Sequence, residues 1–336
     1  MTVTSIAPAP PQADPGRPRP WSHPWVRFAG RRLGRLLVSL WVLVTASFAM
    51  IHLIPGDPVR AALGPTAPAD LVAARRHALG LDDPFFVQYF HYLKGLVTGD
   101  LGTSLSSQLP VSDVVAQRLP ATLSLAVLAF LAAVVVAVPL GVTMGVLTRR
   151  GHGRRTELVF TTSSIVLATV PDFLIGVALV YVFGIRLGWL PVAGNDTAAA
   201  YVLPVVSLAI GPAAILSRIV RVEMVGVLEA DFVRTARAKR LPARTIYLGH
   251  ALPNAVTAAL TLGGLLLSAM VAGTVLVENV FAWPGLGSTI VQSILVKDYP
   301  VVQAIVLLYG LGVLLTNLVV DVALALLDPR SKIRED

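Results

Sequence analysis

The residues best placed to do chemistry are ionisable side chains inside long apolar stretches of the chain. Asp172 follows Pro171 in the stretch Leu158–Ile185, about 20 Å along a helix. A charge at the centre of a bilayer costs about 2.5–3.5 kcal/mol, so this carboxylate should face water or the interior of a helix bundle. Two interpretations are open: Asp172, with Pro171 and Phe173, lines or gates a solute path, or it is hydrogen-bonded within the bundle. Pro171 should also kink the helix.

Four other ionisable residues lie near the ends of apolar stretches. Glu278 is a further candidate for the path or gate, and it lies within about two turns of a helix end. Arg218, Arg221 and Asp321 are placed in the same way. Side chains in such positions can extend toward the membrane surface, so we expect these four residues to reach the interface.

Patterns typical of enzymes are missing from the sequence. The six histidines are scattered, with no H-E-x-x-H spacing, and there is no cysteine for a disulfide, a thiol nucleophile or a thiolate metal site. No lysine follows a glycine, so the chain contains no G-x-x-x-x-G-K-[ST] nucleotide-binding loop. We therefore predict a protein that is not an enzyme and binds no cofactor. Any ATP-driven work would require another chain to bind ATP and magnesium.

The composition is that of a membrane protein. Of the 336 residues, 55% are hydrophobic and only 14% are charged, with a mean hydropathy of +0.74. Soluble domains carry about 25% charged residues. The net charge of +8 could suggest nucleic acid as a partner, but the cations flank the apolar stretches instead of covering one soluble face. We predict lipid, and not nucleic acid, around this chain.

Six apolar stretches are long enough to cross a bilayer, which takes roughly 20 helical residues. They are Leu33–Ile54, Ala121–Leu147, Leu158–Ile185, Tyr201–Val222, Val256–Val280 and Val301–Leu327. The predicted fold class is therefore an all-α integral membrane protein with six transmembrane helices. Basic residues are concentrated before the first stretch, between the second and third, between the fourth and fifth, and after the sixth. Because cations favour the cytoplasmic side, both termini should be cytoplasmic.

The stretch Leu228–Ala255 is the longest charged interval in the second half of the chain. It holds five basic residues and two acidic ones between 228 and 245. Asp231 is expected to cap a short helix that starts at Phe232, and Phe232 and Ala236 should share one face of it. Leu241 precedes a proline and should be a helix boundary. Such a helix suits docking onto a soluble partner, although the cations could also serve only to anchor a cytoplasmic loop.

The first outer segment, Pro55–Leu119, is long and mixed in charge. Asp70–Leu79 predicts a short helix that ends at Gly80. Pro84–Val97 is rich in aromatic residues, and it should either lie at the membrane interface or pack over the outer mouth of the bundle. Pro120 is expected to open the second span, at the first-turn position that proline tolerates best.

Eight short stretches together make the chain similar to a known family. They are HLIPGDP (52–58), LGLD (79–82), GDLG (99–102), RLPATL (118–123), PDF with Gly176 (171–173), WLP (189–191), WPGLG (283–287) and LDPR (327–330). In this order and spacing they resemble the permease subunit of bacterial ABC importers of the dipeptide and oligopeptide class. The resemblance implies the type I importer permease fold. It divides the chain into a disordered Pro-rich cytoplasmic tail (1–31), a first helix with an outer segment (32–117), a five-helix core (118–327) and a cytoplasmic tail (328–336).

The resemblance also assigns the stretch near 228–255 to contact with an ATPase. Importers of this kind show E-A-A, three residues, Gly, nine residues and I-x-L-P, and here only Ala236, Leu252 and Pro253 match literally. Arg240 stands where a glycine would end the helix in a left-handed turn at no steric cost, which arginine does less easily. The implied coupling residues are Glu229, Asp231, Phe232, Arg234, Thr235, Ala236, Arg237, Lys239, Arg240, Leu252 and Pro253.

The implied partners are a second, similar permease, two cytoplasmic ATPase subunits or domains, and an extracytoplasmic substrate-binding protein. The implied location is the bacterial plasma membrane, and the implied cargo is a di- or oligopeptide. A nickel chelate, a glycoside or haem would suit the same role. An ion-coupled carrier that uses Asp172 as a proton site is a further hypothesis, and the asymmetric basic loop argues against it.

Overall fold

The computed structural model describes residues 24–53, 57–64, 66–78, 80–151 and 153–327. Twelve α-helices are found in this part of the chain: α1 (Pro24–Leu53), α2 (Pro58–Leu63), α3 (Ala69–Ala78), α4 (Phe85–Thr98), α5 (Val111–Thr148), α6 (Arg154–Thr169), α7 (Asp172–Leu179), α8 (Val202–Glu229), α9 (Asp231–Ala238), α10 (Leu252–Val280), α11 (Leu286–Leu295) and α12 (Tyr299–Leu327). The described residues form no strand apart from one isolated bridge between Thr103 and Pro110. The all-helical prediction is therefore confirmed.

The predicted N-terminal tail is corrected in part. Because α1 begins at Pro24, residues 24–31 are helical and do not belong to a disordered tail. The rest of that tail, residues 1–23, lies outside the described residues, as do residues 328–336.

Membrane spans in the described residues agree with five of the six predicted stretches. Long apolar helices cover Gly30–Met50, Val111–Thr148, Ala198–Glu229, Leu262–Val280 and Tyr299–Val322. The third predicted span is instead a pair of helices, Arg154–Thr169 and Asp172–Arg186, bent by 94° at the break between them. The described residues therefore contain six candidate spans when this bent pair counts as one. Val170 adopts an extended conformation, as residues before proline prefer, so Pro171 separates two helices where we expected a kink in one.

Helix α5 is longer than the sequence suggested, and the prediction for Pro120 was wrong. The helix begins at Val111, so Pro120 lies inside it and does not open the span. Tertiary packing accounts for the extension, since the buried Val111 and Val115 contact apolar residues of α11 and α12, among them Leu286 and Ile305. These contacts stabilise the turns that precede the proline.

Helix α8 lies at the centre of the bundle and packs closely against α5. A Cβ on Gly141 would lie 2.6 Å from the carbonyl oxygen of Ser217, and one on Gly145 would lie 2.9 Å from Cβ of Met224. Only glycine permits two backbones to approach this closely. The contact fixes α5 and α8 as one unit, on which α7 and α10 also pack.

Helix α1 is attached to the bundle through α12. The Ser47 hydroxyl donates to the carbonyl oxygen of Gln303 at 3.2 Å, and Arg32 forms an ion pair with Asp321. We expected the Asp321 side chain to extend toward the membrane interface. In the structure it instead forms an ion pair with Arg32 on α1. The two contacts join α1 to α12, the first and last helices of the described part of the chain.

The outer segment contains the predicted aromatic helix, α4. On one face, the rings of Tyr89 and Tyr92 lie 5.1 and 5.6 Å from the ring of Phe48 on α1. On the other face, Phe86 and Phe90 are 72% and 67% exposed. One face of α4 therefore packs on α1 and the other presents aromatic rings outward, and a position of these rings at the membrane interface stays a prediction.

The preceding helix, α3, ends where the sequence predicted. Gly80 adopts a left-handed conformation with φ of 66°, and its amide donates to His77. Arg76 donates to Asp82 and to Asp57, which connects this helix to the residues on either side. The hydrogen bond that Arg76 donates to Asp82 and the charge of Asp57 raise the pKa of the Arg76 guanidinium above its ordinary value.

Candidate functional site

The predicted docking helix is present as α9, but its first turn differs from the prediction. Ala230 is the N-cap residue and Asp231 is the first helical residue. The Asp231 carboxylate accepts a hydrogen bond from Nη1 of Arg234 at 3.1 Å and does not cap a helix beginning at Phe232. An acidic residue in the first turn still interacts favourably with the helix dipole.

The faces of α9 also differ from the prediction. Val233 and Ala236 are buried, and they pack against Met224 of α8 and Ile246 of the loop before α10. Phe232 is 44% exposed. Ala236 therefore anchors α9 to its own chain, while Phe232 lies on the outward face. The expectation that the two share a face was wrong, because the buried stripe of this short helix runs through residues three apart.

The C-terminal end of α9 resolves the question raised by Arg240. Arg240 adopts a left-handed conformation with φ of 53°. Its amide donates to the carbonyl of Arg237 at 2.9 Å, and the amide of Leu241 donates to the carbonyl of Ala236 at 3.3 Å. These two bonds form a Schellman motif, in which glycine is the usual residue at this position. Arginine therefore occupies the same turn at a steric cost that glycine would avoid. Helix α9 itself ends at Ala238, ahead of the predicted boundary at Leu241.

The loop returns to the membrane through a π-helical turn, Thr245–Ala251, which leads directly into α10. Leu252 is the first residue of α10, and Pro253 occupies its first turn, where proline is well tolerated. The outward surface beside Phe232 is basic and polar. Its exposed side chains belong to Glu229, Asp231, Arg234, Thr235, Lys239, Arg240 and Arg244. Arg237 is half-buried, and its Nη2 has no hydrogen-bond partner.

The membrane ends of the neighbouring helices are tied together by Arg221. Its Nη2 lies 2.6 Å from Oε1 of Glu157 on α6, and its Nε donates to the Thr148 hydroxyl on α5 at 2.9 Å. Arg221 therefore joins α5, α6 and α8, where we had expected it to extend to the interface. Because Met224 lies one turn further along α8 and packs on α9, the exposed loop is attached to a fixed base.

Asp172 is the first residue of α7, directly after Pro171 and followed by the half-buried Phe173. Its carboxylate is half-buried between α8 and α10. A Cβ on Gly211 would lie 3.3 Å from Oδ1, and one on Gly273 would lie 3.5 Å from Oδ2. Nothing in the described part of the chain donates a hydrogen bond to it or forms an ion pair with it. The interpretation in which Asp172 is hydrogen-bonded within the bundle thus finds no donor among the described residues.

Glu278 lies elsewhere than expected. It is fully buried and does not reach the interface. Its carboxylate accepts from the Thr122 hydroxyl at 2.7 Å and from the amide of Gly287 at 2.7 Å, with a third bond from the amide of Ser288 at 3.1 Å. The Glu278 carboxylate thus accepts hydrogen bonds from two amides at the start of α11, where backbone amides have no acceptor within the helix. This geometry supports a structural lock between α5, α10 and α11.

A second carboxylate, which the sequence analysis did not single out, fastens the outer segment. Asp298 is 1% exposed and precedes α12. It accepts from the hydroxyls of Ser104 and Ser106 at 2.5 and 2.7 Å and from the amide of Leu105 at 3.0 Å. Asp298 and the residues that donate to it are nearly two hundred positions apart along the chain, so their contact cannot be read from local spacing. In the sequence, the run of serines was the one sign of a polar contact in this segment.

Comparisons with known proteins agree with this architecture. Residues 137–333 match the model of the "Binding-protein-dependent transport system inner membrane component", and residues 25–126 match the model of its N-terminal part. The chain is 38% identical over 299 residues to the glutathione transport system permease protein GsiC of Escherichia coli (strain K12), covering 89% of this chain and 96% of that protein. The GsiC protein of Salmonella typhi is 39% identical over the same length and coverage.

A solved structure shares the fold. An inward-facing conformation of the MetNI methionine ABC transporter matches with a TM-score of 0.52 and 18% identity, covering 64% of this chain and 96% of that one. At this identity the match concerns the fold alone.

Proposed function

The chain belongs to the family of inner-membrane components of binding-protein-dependent transport systems, and from that premise we propose that it forms one half of the translocation path of a peptide importer. It is a multi-pass permease subunit of an ABC importer, a class whose members work with an ATPase and a substrate-binding protein. The second half of the path would be a similar permease. Both termini and the loop around α9 would lie in the cytoplasm of a bacterial cell.

The proposed cargo is a small peptide. Support comes from the relatives, which are permeases of glutathione transport systems, and glutathione is itself a tripeptide. Other solutes suited to the same role are a nickel chelate, a glycoside or haem, and each is an outcome that a transport assay would distinguish. The external binding protein would make the main choice among these solutes.

The single observation that carries the coupling proposal is the geometry of α9. This helix is fixed to the ends of α8 and α10 by the buried Val233 and Ala236, and it presents Phe232 outward. The same loop carries the exposed cations Arg234, Lys239 and Arg240, so its surface suits a groove with an apolar floor and an acidic rim. ATP and magnesium would be bound by the partner ATPases, and this chain would bind neither. ATP binding moves the bundle only if the ATPases bind one of its conformations more tightly than the other.

The proposed gate is the break between α6 and α7. Asp172 and Phe173 begin a helix that meets α6 at 94°, and the carboxylate has no donor in the described residues. A segment with this geometry can change its angle without breaking a long helix. Glu278 was a second candidate for the path or gate. We now assign it only the role of holding α11 against the bundle.

The test is isolation of the tagged chain from its native membrane in mild detergent, followed by reconstitution into vesicles with the proteins that accompany it. We expect a second permease and P-loop ATPases in the complex, and ATP-dependent uptake of labelled dipeptides or glutathione when the binding protein is added. Uptake of a nickel chelate or a glycoside, without uptake of peptides, would show that the cargo is that solute and not a peptide. Uptake by this chain alone, without ATP, would return attention to the ion-coupled hypothesis and to Asp172.

A further inference from the structure

Helix α4 carries three different strips of side chains along its length. Residues spaced four, three and four apart share one side of a helix, and a strip that starts one residue later lies further around it. We call the three strips inner, outward and polar. The inner strip is Phe85, Tyr89, Tyr92 and Leu96; the outward strip is Phe86, Phe90, Leu93 and Val97; the polar strip is Val87, His91, Lys94 and Thr98.

The outward strip is apolar throughout and is not covered by the described part of the chain. Phe86, Phe90 and Val97 are 72%, 67% and 89% exposed. The inner strip differs, because the ring of its Phe85 lies 5.2 Å from the ring of Phe48 on α1, and its tyrosines contact the same ring. A row of exposed apolar side chains marks a surface that contacts a membrane or another protein.

The contacts of the inner strip give the depth of α4 relative to the first span. The ring of Phe85 lies 5.2 Å from that of His52, and the Tyr89 hydroxyl lies 2.8 Å from the hydroxyl of Thr45. The apolar helix that can cross the membrane covers Gly30–Met50, so Thr45 lies five residues, or about 7.5 Å, inside its end. The outward strip therefore lies beside the last turns of a span, at a depth that the bilayer reaches.

The part of α1 just below α4 has the surface of a helix that faces lipid. The Thr45 hydroxyl donates to the carbonyl of Trp41, one turn deeper on the same side of α1, and the Trp41 side chain is 61% exposed. Val38 and Val42 are also exposed. An exposed apolar surface of the span thus leads up to the contact between Thr45 and α4.

The charges of α4 fit a surface of phospholipid phosphates. The helix contains no acidic residue, and its lysine, Lys94, is exposed in the polar strip. Lys94 forms no ion pair with the residues that the structure describes. A lysine beside an apolar strip can lay its stem on that strip and extend its ammonium group to the phosphates. One apolar face that contains phenylalanine and leucine, next to a polar face with lysine, is typical of helices that lie in the membrane interface.

We propose that α4 is an interfacial helix that docks onto the phospholipid of the outer leaflet. The outward strip lies among the acyl chains, and the Lys94 ammonium group pairs with lipid phosphate. The inner strip holds the helix on α1, so α4 attaches the outer segment to the bundle and to the membrane at once. The leaflet is called outer by the orientation proposed above, but the lipid contact depends on neither the cargo nor the ATPase.

The test uses spin labels, because the chain contains no cysteine and single cysteines can be introduced one at a time. Phe90→Cys labels the outward strip, and Thr98→Cys, also exposed, is the matched control in the polar strip. The chain and its co-purifying partners are reconstituted into vesicles of phosphatidylethanolamine and phosphatidylglycerol, and the wild-type complex treated with the same label gives the background. Relaxation of each label is measured with oxygen, which enters acyl chains, and with a water-soluble nickel chelate.

We expect the ratio of the oxygen effect to the nickel effect to be several-fold higher at position 90 than at position 98. Phe86→Cys should behave like Phe90→Cys. Equal ratios at positions 90 and 98 would place the outward strip in water and overturn the proposal. A label at position 90 that neither reagent reaches, or that oxygen no longer reaches once a substrate-binding protein is added, would assign the strip to a protein partner and overturn it as well.

The role of Lys94 is measured with the same label at position 90. Lys94→Glu should lower the ratio of the oxygen effect to the nickel effect, because phosphates repel a carboxylate. Lys94→Arg keeps the positive charge and should preserve the ratio. The same ratio in all three proteins would overturn the contact between Lys94 and lipid phosphate.

Discussion

The hydroxyl of Thr122 on α5 donates to the carboxylate of Glu278 on α10 at 2.7 Å and accepts from the amide of Leu286 at 2.8 Å. One side chain therefore connects α5 to both ends of the turn between α10 and α11. The indole of Trp283, in that turn, donates to the carbonyl of Ala121 at 3.0 Å. The sequence WPGLG thus forms a lock: its glycines leave room for the buried carboxylate and supply an amide to it.

Replacing Glu278 with glutamine should weaken this lock. The new amide group would place a donor opposite the Thr122 hydroxyl or the Gly287 amide, leaving a buried donor unsatisfied. The expected loss is about 1–3 kcal/mol of unfolding free energy, seen as a lower midpoint of thermal unfolding in detergent. The control is Glu223→Gln, which changes a half-buried carboxylate on α8 that has no hydrogen-bond or ion-pair partner among the described residues. Equal effects of the two changes would contradict the role of Glu278.

At the Schellman turn that ends α9, we predict a substitution that stabilises the protein. Arg240 adopts φ of 53°, so Arg240→Gly should stabilise the loop by about 1 kcal/mol, since glycine reaches the left-handed region without steric cost. Lys239 is the matched control, because its φ is −75° and glycine there should destabilise instead. The rate of hydrogen exchange at the Leu241 amide measures the stability of the turn in both variants. Faster exchange in Arg240→Gly would show that the arginine side chain holds the turn by contacts of its own.

The sequence was sufficient for features that repeat along the chain and insufficient for contacts between distant residues. Apolar stretches of about 20 residues identified the helices that cross the membrane. Pro120 was misplaced because packing on α11 and α12, which lie far along the chain, extends α5 beyond it. Glu278 was misplaced for the same reason, since its partner Thr122 is 156 positions away. At α9 the spacing of Phe232 and Ala236 suggested one face, whereas the buried side was decided by Met224 of α8.

The contacts of Asp298 in the outer segment are a second site where a substitution should destabilise the protein. Replacing Asp298 with alanine leaves the buried hydroxyl of Ser104, the hydroxyl of the exposed Ser106 and the amide of Leu105 without their acceptor. Leaving a buried donor without its partner costs about 1–3 kcal/mol. We expect residues 101–110 to become sensitive to protease in intact vesicles that expose the outer face. Asp113→Ala changes an exposed carboxylate in the same region and should not do so; cleavage in both variants would contradict the assignment.

The proposed ATPase contact leads to the last prediction, which concerns Phe232. Replacing Ala236 with a large charged residue should block coupling. The structure makes it a poor test, because Ala236 is buried and a charge there would disrupt the loop itself. Phe232→Ala removes an exposed ring instead, so α9 should keep its fold.

We expect Phe232→Ala to lower ATP-dependent uptake several-fold and to reduce the amount of ATPase that co-purifies, because exposed aromatic residues often dominate contacts with a partner. Phe90→Ala is the matched control: it removes a ring that is 67% exposed, against 44% for Phe232, but from α4 in the outer segment. Uptake should be normal in that variant if the proposed cytoplasmic position of Phe232 is what counts. Normal uptake and normal ATPase recovery in Phe232→Ala, with the protein inserted at wild-type levels, would show that the ATPase docks elsewhere on the loop.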